Sequence, residues 1–249
     1  MDAYKKSRVK SIICWVIAFA LAIFYLVVSF LPFIFMVLNS FKEKFEMLTV
    51  GVFELPQSLN FANYQEVLTG GFGKYFMNSV IVLAISLILL LFIASCASYP
   101  LARFQFKLAN PIYAGIVACM SIPVHITLIP VFKMSQATGL YDSIWALIGP
   151  YVAFAVPISV FILTSFMKEI PREIEESAEI DGCGKIKMFF SMILPLSKPG
   201  LATLAIYNGV NMWNESSFAY TLTQSSENRT LPLAIWEFQG QYSMNTPMI

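Results

Sequence analysis

The chain has 249 residues, 57% of them hydrophobic and only 12% charged, against about 25% charged in soluble domains. So apolar a chain cannot cover a water-facing surface, which excludes a soluble globular fold and makes lipid its solvent and a contact partner. A net charge of +1 leaves no global basic field, and so no indication of nucleic acid as a partner.

Lys5, Lys6, Arg8 and Lys10 precede an apolar run from Ser11 to Leu38 without a charge. The run outlasts the h-region of a signal peptide, about 7–15 residues, so it reads as an uncleaved first span covering 11–38. Segments 76–99, 111–132, 144–167 and 200–222 also meet the length of about 20 apolar residues that a spanning helix needs. Helices follow because a backbone in hydrocarbon must satisfy its own hydrogen bonds, and the polar–apolar alternation of a barrel strand is missing. The expected fold is therefore an all-α, polytopic helical bundle with five visible spans. A cytoplasmic N-terminus puts eleven of the 16 Lys and Arg residues on the inner side, as the positive-inside rule favours. The C-terminus then lies outside.

Pro32, Pro123, Pro130, Pro150 and Pro157 fall inside these spans and mark kinks. Small residues recur four apart at Ala94 and Ser98, Gly149 and Ala153, and Ala205 and Gly209, a spacing that permits close helix packing. The outer loop 39–75 carries glycines at 70, 71 and 73, but neither there nor at Gly184-Lys185 is there a phosphate-binding loop. Cys14, Cys96 and Cys119 lie in apolar stretches and Cys183 in a polar loop. No pair has metal-ligand spacing, so no metal site, disulfide framework or catalytic cysteine cluster is expected.

The stretch Lys168 to Pro199 holds eleven of the 31 charged residues. Pro171 suits a first helical turn, and Glu173, Glu175 and Glu176 suit its positive end. The spacing predicts a helix to Asp181 with Ile174, Ser177, Ala178 and Asp181 on one small face, open to close approach by another surface. Gly182 fits a C-terminal position with positive φ. From Lys185, residues Ile186, Phe189, Phe190, Ile193 and Leu194 keep helical periodicity, predicting an amphipathic helix at the membrane interface. Pro195 and Pro199 end it. The plainer reading of this stretch is a solvated acidic connector.

Glu176-Ser177-Ala178-x-x-Asp181-Gly182, followed by Ile193-x-Pro195 and Pro199, resembles the EAA loop of prokaryotic ABC importer permeases, with Ser177 where alanine is usual. The likeness runs on through Asn60 to Tyr64, Asn78-Ser79, Tyr99 to Phe104, Ile122-Pro123, Ile129-Pro130, Gly139-Leu140, Trp213-Asn214-Glu215 and Arg229 to Pro232. Together these resemble the maltose-type carbohydrate permease family. The resemblance implies a type I ABC importer permease domain over 1–249 in a prokaryotic cell membrane, with an EAA coupling loop at 168–199. It also implies a sixth span beyond Ile249, so the sequence is expected to be C-terminally truncated.

By the same resemblance the partners are a second permease subunit, a cytoplasmic ABC ATPase dimer and an extracytoplasmic solute-binding protein. ATP and Mg belong to the ATPase; no cofactor and no catalytic residue is expected on this chain. Coupling falls to Glu176, Ser177, Ala178, Asp181, Gly182 and Pro195.

A secondary transporter is the rival class. Ion coupling usually needs intramembrane carboxylates, and within the five spans only Glu215 qualifies. A membrane enzyme would need a polar cluster that the chain lacks. Tyr207, Asn208, Asn211, Trp213, Asn214 and Glu215 form the best polar and aromatic set in a span. They read either as lining of a translocation pathway or as interhelical glue with an interfacial tryptophan. His125, the one histidine, reads as a packing residue or a pathway residue. In the tail, Trp236, Phe238 and Tyr242 mark a contact surface for the binding protein or simply lead toward the further span.

Overall fold

A computed structural model describes residues 2–43 and 46–235 of the chain; Trp236, Phe238 and Tyr242 lie outside the described residues. Among those described, every regular element is helical. Three helices are long and apolar enough to cross a membrane: Lys10–Ser40, Ala62–Arg103 and Trp145–Glu169. The number rises to five when each of two bent helix pairs is counted as one span.

Helix α1 runs over Asp2–Ser40 and continues through Pro32. Among the described residues, none of its most apolar window is buried. Trp15 and Tyr25 are each 74% exposed, a surface that only lipid or another apolar partner can cover. At its end Asn39 and Lys42 are buried. Asn39 Nδ2 donates to the Phe35 carbonyl at 2.7 Å and the Val52 carbonyl at 2.9 Å. Lys42 Nζ donates to the Gly51 carbonyl at 2.9 Å. Asn63 Nδ2 reaches the carbonyls of Ser40 and Lys42. The Asn63 amide thus satisfies the Ser40 carbonyl, which the helix end leaves without a partner, while Asn39 and Lys42 tie that end to the carbonyls of Val52 and Gly51.

The described residues up to Gly71 belong to one unit and residues 72–235 to a second. In the second, α2 (Gly73–Arg103) and the long helix Trp145–Glu169 form the most extensive helix pair. Two apolar clusters fill it. One gathers Tyr99 and Ala102 with Leu163, Met167 and Leu204; the other gathers Val82 with Leu147, Tyr151 and Met212. The two long helices therefore run parallel, and the helix Lys198–Trp213 runs antiparallel to both.

The expected third span is not one straight helix. α3 (Ala109–Ser121) and α4 (Val124–Ala137) meet at 90°. Ile122 and Pro123 between them are extended, at φ/ψ −80/117° and −64/122°. Proline disfavours helical geometry in the residue before it and offers no N–H. Within α5 (Trp145–Glu169), Pro150 and Pro157 leave the helix continuous. The expected fifth span also divides. α6 (Glu173–Ile180) precedes α7 (Lys185–Leu196), which meets α8 (Lys198–Trp213) at 68°. α8 stops at Trp213, and α9 (Ser217–Leu222) is a separate short helix.

The close helix approach is at none of the expected glycines. A Cβ on Gly149 or Gly209 would meet nothing within 4 Å, whereas one on Gly200 would lie 2.8 Å from Phe166 Cγ. Gly200 is what lets α8 lie against α5. Ala94 and Ser98, the pair expected on α2, are fully buried, and Ser98 Oγ donates to the Val160 carbonyl of α5 at 3.4 Å.

Candidate functional site: a fastened surface helix and an aromatic cavity

α6 is short and carries Glu173, Glu175 and Glu176 in its first turn. Its C-terminus closes with two crossed bonds: Cys183 N–H to the Ala178 carbonyl at 2.8 Å, and Gly182 N–H to the Glu179 carbonyl at 3.0 Å. This closure needs a left-handed residue, and Gly182 supplies it at φ +76°. Pro171 and Asp181, expected inside the helix, flank it instead.

The faces of α6 differ from the sequence expectation. Ala178, expected on an outer docking face, is 2% exposed and packs into the cluster with Tyr99, Met167 and Phe189. Glu175 shares that inner side. Its carboxylate lies 3.4 Å from Arg103 Nε, and Arg103 Nη2 donates to the Ile170 carbonyl at 2.7 Å. The outer side carries Glu176, Ser177, Asp181 and Ile180, the last 87% exposed. Ala178 and Ser177 are adjacent, so a helix turns them about 100° apart; their shared smallness concealed that they face different surroundings.

α7 departs from its expected face for a different reason. Phe189 and Ile193 are buried with Met188, but Ile186 is 77% and Phe190 51% exposed. The backbone widens to a π-turn over Phe189–Ile193, which shifts the register from Phe190 onward; Ile186 precedes it in the first turn of α7. The buried edge packs on α2: Tyr99 and Phe189 rings are 5.0 Å apart, and Tyr99 Oη donates to the Lys185 carbonyl at 3.5 Å. Glu179 and Lys185 form a hydrogen-bonded ion pair across the α6–α7 turn, and that bond holds the Lys185 ammonium above its usual range. Pro195 is exposed within the last turn of α7.

A cavity of about 290 Å³ lies between α5, α8 and α9, walled by Tyr151, Phe154, Tyr207, Asn211, Glu215 and Phe218 among others. Asn208 also lines it, but its amide donates to Ser159 Oγ at 3.1 Å and to the Leu204 carbonyl at 3.0 Å. Asn208 therefore acts as interhelical glue. Glu215 accepts the Tyr151 hydroxyl at 2.9 Å and the N–H groups of Phe218 and Ala219 at 2.9 and 3.3 Å. Its carboxylate caps α9 and ties it to α5, which is why the expected fifth span breaks there.

The other expected pathway residues stand outside the cavity lining. Trp213 packs edge-on against Phe76 at 5.8 Å, and Asn214 donates to the Val210 carbonyl of its own helix. His125 lies 3.4 Å from Ser217 Oγ. Tyr151 was not singled out in the sequence. Its signal was there: a lone phenol in an apolar span needs an acceptor, and Glu215 was the available carboxylate.

At the opposite end from α6, Asn78-Ser79 and Arg229 to Leu231 meet. Asn78 Nδ2 donates to the carbonyls of Glu227 and Arg229 at 2.9 Å, and Leu231 N–H donates to Ser79 Oγ at 2.8 Å. Asp142 binds the same segment, accepting N–H groups of Gln224 and Ser225 at 2.8 Å. The Ser225 hydroxyl, followed by these backbone bonds, pulls the Asp142 carboxyl down to about 2. Among the described residues no cluster of three or more His, Cys, Asp or Glu is placed to hold a metal.

Residues 91–249 match the family described as binding-protein-dependent transport system inner membrane component. An ABC transporter permease protein of Caldicellulosiruptor sp. is 48% identical over 88% of this chain and 79% of its own. The diacetylchitobiose uptake system permease of Streptomyces coelicolor is 38% identical over 80% of this chain and 66% of its own. The trehalose/maltose transport system permease of Thermococcus litoralis is 35% identical over 88% and 79%. The crystal structure of a bacterial ABC transporter that imports the acidic polysaccharide alginate shares the fold, with a TM-score of 0.81 and 19% identity over 94% of this chain and 82% of that one. The chain thus has the type I importer permease fold and belongs to the binding-protein-dependent transport system inner membrane component family, the non-enzymatic permeases of ABC importers.

Proposed function

We propose that this chain forms half of the translocation pathway of an ATP-driven importer for a carbohydrate or related small solute. In this reading it works beside a second permease subunit. A solute-binding protein delivers the solute from outside, and a cytoplasmic ATPase dimer holds ATP and Mg. α6 couples the chain to that ATPase as a lever. The observation that carries the reading is the build of α6: fastened to its own subunit on one side, and presenting Glu176, Ser177, Ile180 and Asp181 on the other. A lever needs both. Gly182 contributes the closure that keeps the helix short and stiff; Pro195 sits where the cytoplasmic stretch bends into α8.

The solute class rests on the relatives, named for diacetylchitobiose and for trehalose and maltose, and on the cavity walls. Tyr207, Asn211 and the rings of Phe154 and Phe218 supply hydrogen bonding and apolar faces, the two contacts by which sugar rings are held. Against a secondary transporter stands Glu215. It is engaged by three hydrogen bonds within the chain, the environment of a structural carboxylate rather than of one that trades protons with a pathway.

The test is uptake by the assembled transporter in whole cells. Gly182→Val, which places a β-branched side chain at positive φ, is expected to abolish uptake while membrane insertion persists. Normal uptake would remove α6 as the lever. In the same cells, in a background lacking the other cysteines, an impermeant thiol reagent is expected to label Gln57→Cys and spare Cys183. Labelling of Cys183 from outside would reverse the N-in orientation.

A further inference from the structure

We infer that Arg103 is a positioning residue, a buried pin through which movement of α6 reaches the spans. The inference rests on the coupling role proposed for α6. Arg103 ends α2, and its side chain is 2% exposed. Its single guanidinium joins three elements. The residue itself belongs to α2. Nη2 holds the Ile170 carbonyl just past the end of α5, and Nε faces the Glu175 carboxylate in the first turn of α6. α2 and α5 are the most extensive helix pair, so a force arriving at α6 enters the stiffest part of the bundle at one point.

The electrostatics favour this placing. A cation at the C-termini of two parallel helices meets the negative end of both macrodipoles. Glu175 supplies a third negative group, 14% exposed. The rest of the inner face is apolar: Ala178 contributes only packing, and the other ion pair of the α6 region, Glu179–Lys185, is half-exposed. The buried charge contact is thus the directional attachment of α6, while the exposed pair is screened by water.

The contact is also incomplete. At 3.4 Å, Arg103 Nε and Glu175 Oε1 attract as charges but share no hydrogen bond, and neither atom has another partner within the described chain. A charge-assisted N–H···O bond would close to about 2.8 Å.

The experiment measures ATP hydrolysed per solute imported by the complete transporter in proteoliposomes. Arg103→Met and Glu175→Gln are each expected to raise that ratio on the order of tenfold, as for residues coupled through one contact, with the ATPase still co-purifying. Arg103→Lys, which keeps the charge but loses the forked reach, is expected to fall between. The exchanged pair Arg103→Glu with Glu175→Arg is expected to recover part of the loss. A merely structural Arg103 would lower the yield of assembled transporter and leave the ratio at the wild-type value, and that result overturns the pin. Ser177→Arg, on the outer face, separates the two readings. If it transports normally, α6 is not the docking helix, and the basis of the inference falls. If it abolishes transport while the Arg103 and Glu175 variants keep a wild-type ratio, the pin alone falls.

Discussion

Ala178→Arg is expected to peel α6 from its own subunit and abolish transport. Ala178 is 2% exposed among Tyr99, Met167, Met188 and Phe189. A guanidinium there has no carboxylate of its own, since Glu175 already faces Arg103. An unpaired buried charge costs at least several kcal/mol, far more than an eight-residue helix gains from its own hydrogen bonds. The helix leaves and takes its closure with it. Cys183, half-buried with its N–H on the Ala178 carbonyl, then becomes open to a thiol reagent in inside-out vesicles. The expected readout is several-fold faster modification of Cys183, consistent with a local opening cost of about 1 kcal/mol or more, together with loss of the ATPase on purification. Ala178→Ser is expected to transport. An arginine variant with unchanged Cys183 reactivity and normal uptake would show that residue 178 faces outward after all.

The second large effect is expected at Glu215→Leu. Leucine is similar in size but accepts nothing, so the buried Tyr151 hydroxyl loses its short contact and α9 loses both bonds at its start. Each polar group left unsatisfied costs about 1–3 kcal/mol. The assembled transporter is expected to unfold at a clearly lower temperature and to lose the ordered α9 wall of the cavity. Tyr151→Phe in the Glu215→Leu background removes the stranded hydroxyl and should restore part of the loss; the two effects are then less than additive. Full additivity would mean that Tyr151 and Glu215 do not depend on one another. Glu215→Gln keeps one acceptor oxygen where the structure uses both, so it is expected to fall between the leucine variant and the wild type.

Composition and run length were enough to place most of the apolar segments, because the bilayer imposes length and hydropathy directly. Pro123 and Pro157 show where that stops. Both remove one donor, yet α5 continues through Pro157 while the chain breaks at Ile122-Pro123. Pattern alone cannot tell them apart, because neighbouring elements decide whether the freed carbonyl is satisfied. Gly182 was legible because a positive φ admits few residues. The direction of Ala178 was not, since alanine suits either a partner's surface or the chain's own core. Arg103 appeared in the sequence only as one letter of Tyr99 to Phe104; its tie to Glu175 spans 72 positions and becomes visible only in the packed helices.

Among the described residues, α1 differs from the other long helices in that none of its most apolar window is buried. Its apolar stretch from Lys10 to Ser40 is 31 residues, about 46 Å at 1.5 Å per residue, against a hydrocarbon thickness of about 30 Å. The excess has to be absorbed by tilting the axis, by raising one end into the headgroups or by thickening the bilayer locally. Helices locked into the bundle meet such a mismatch only by moving together. Where lipid rather than a partner covers α1, its inclination is set by this excess and so by the acyl chain length of the surrounding membrane.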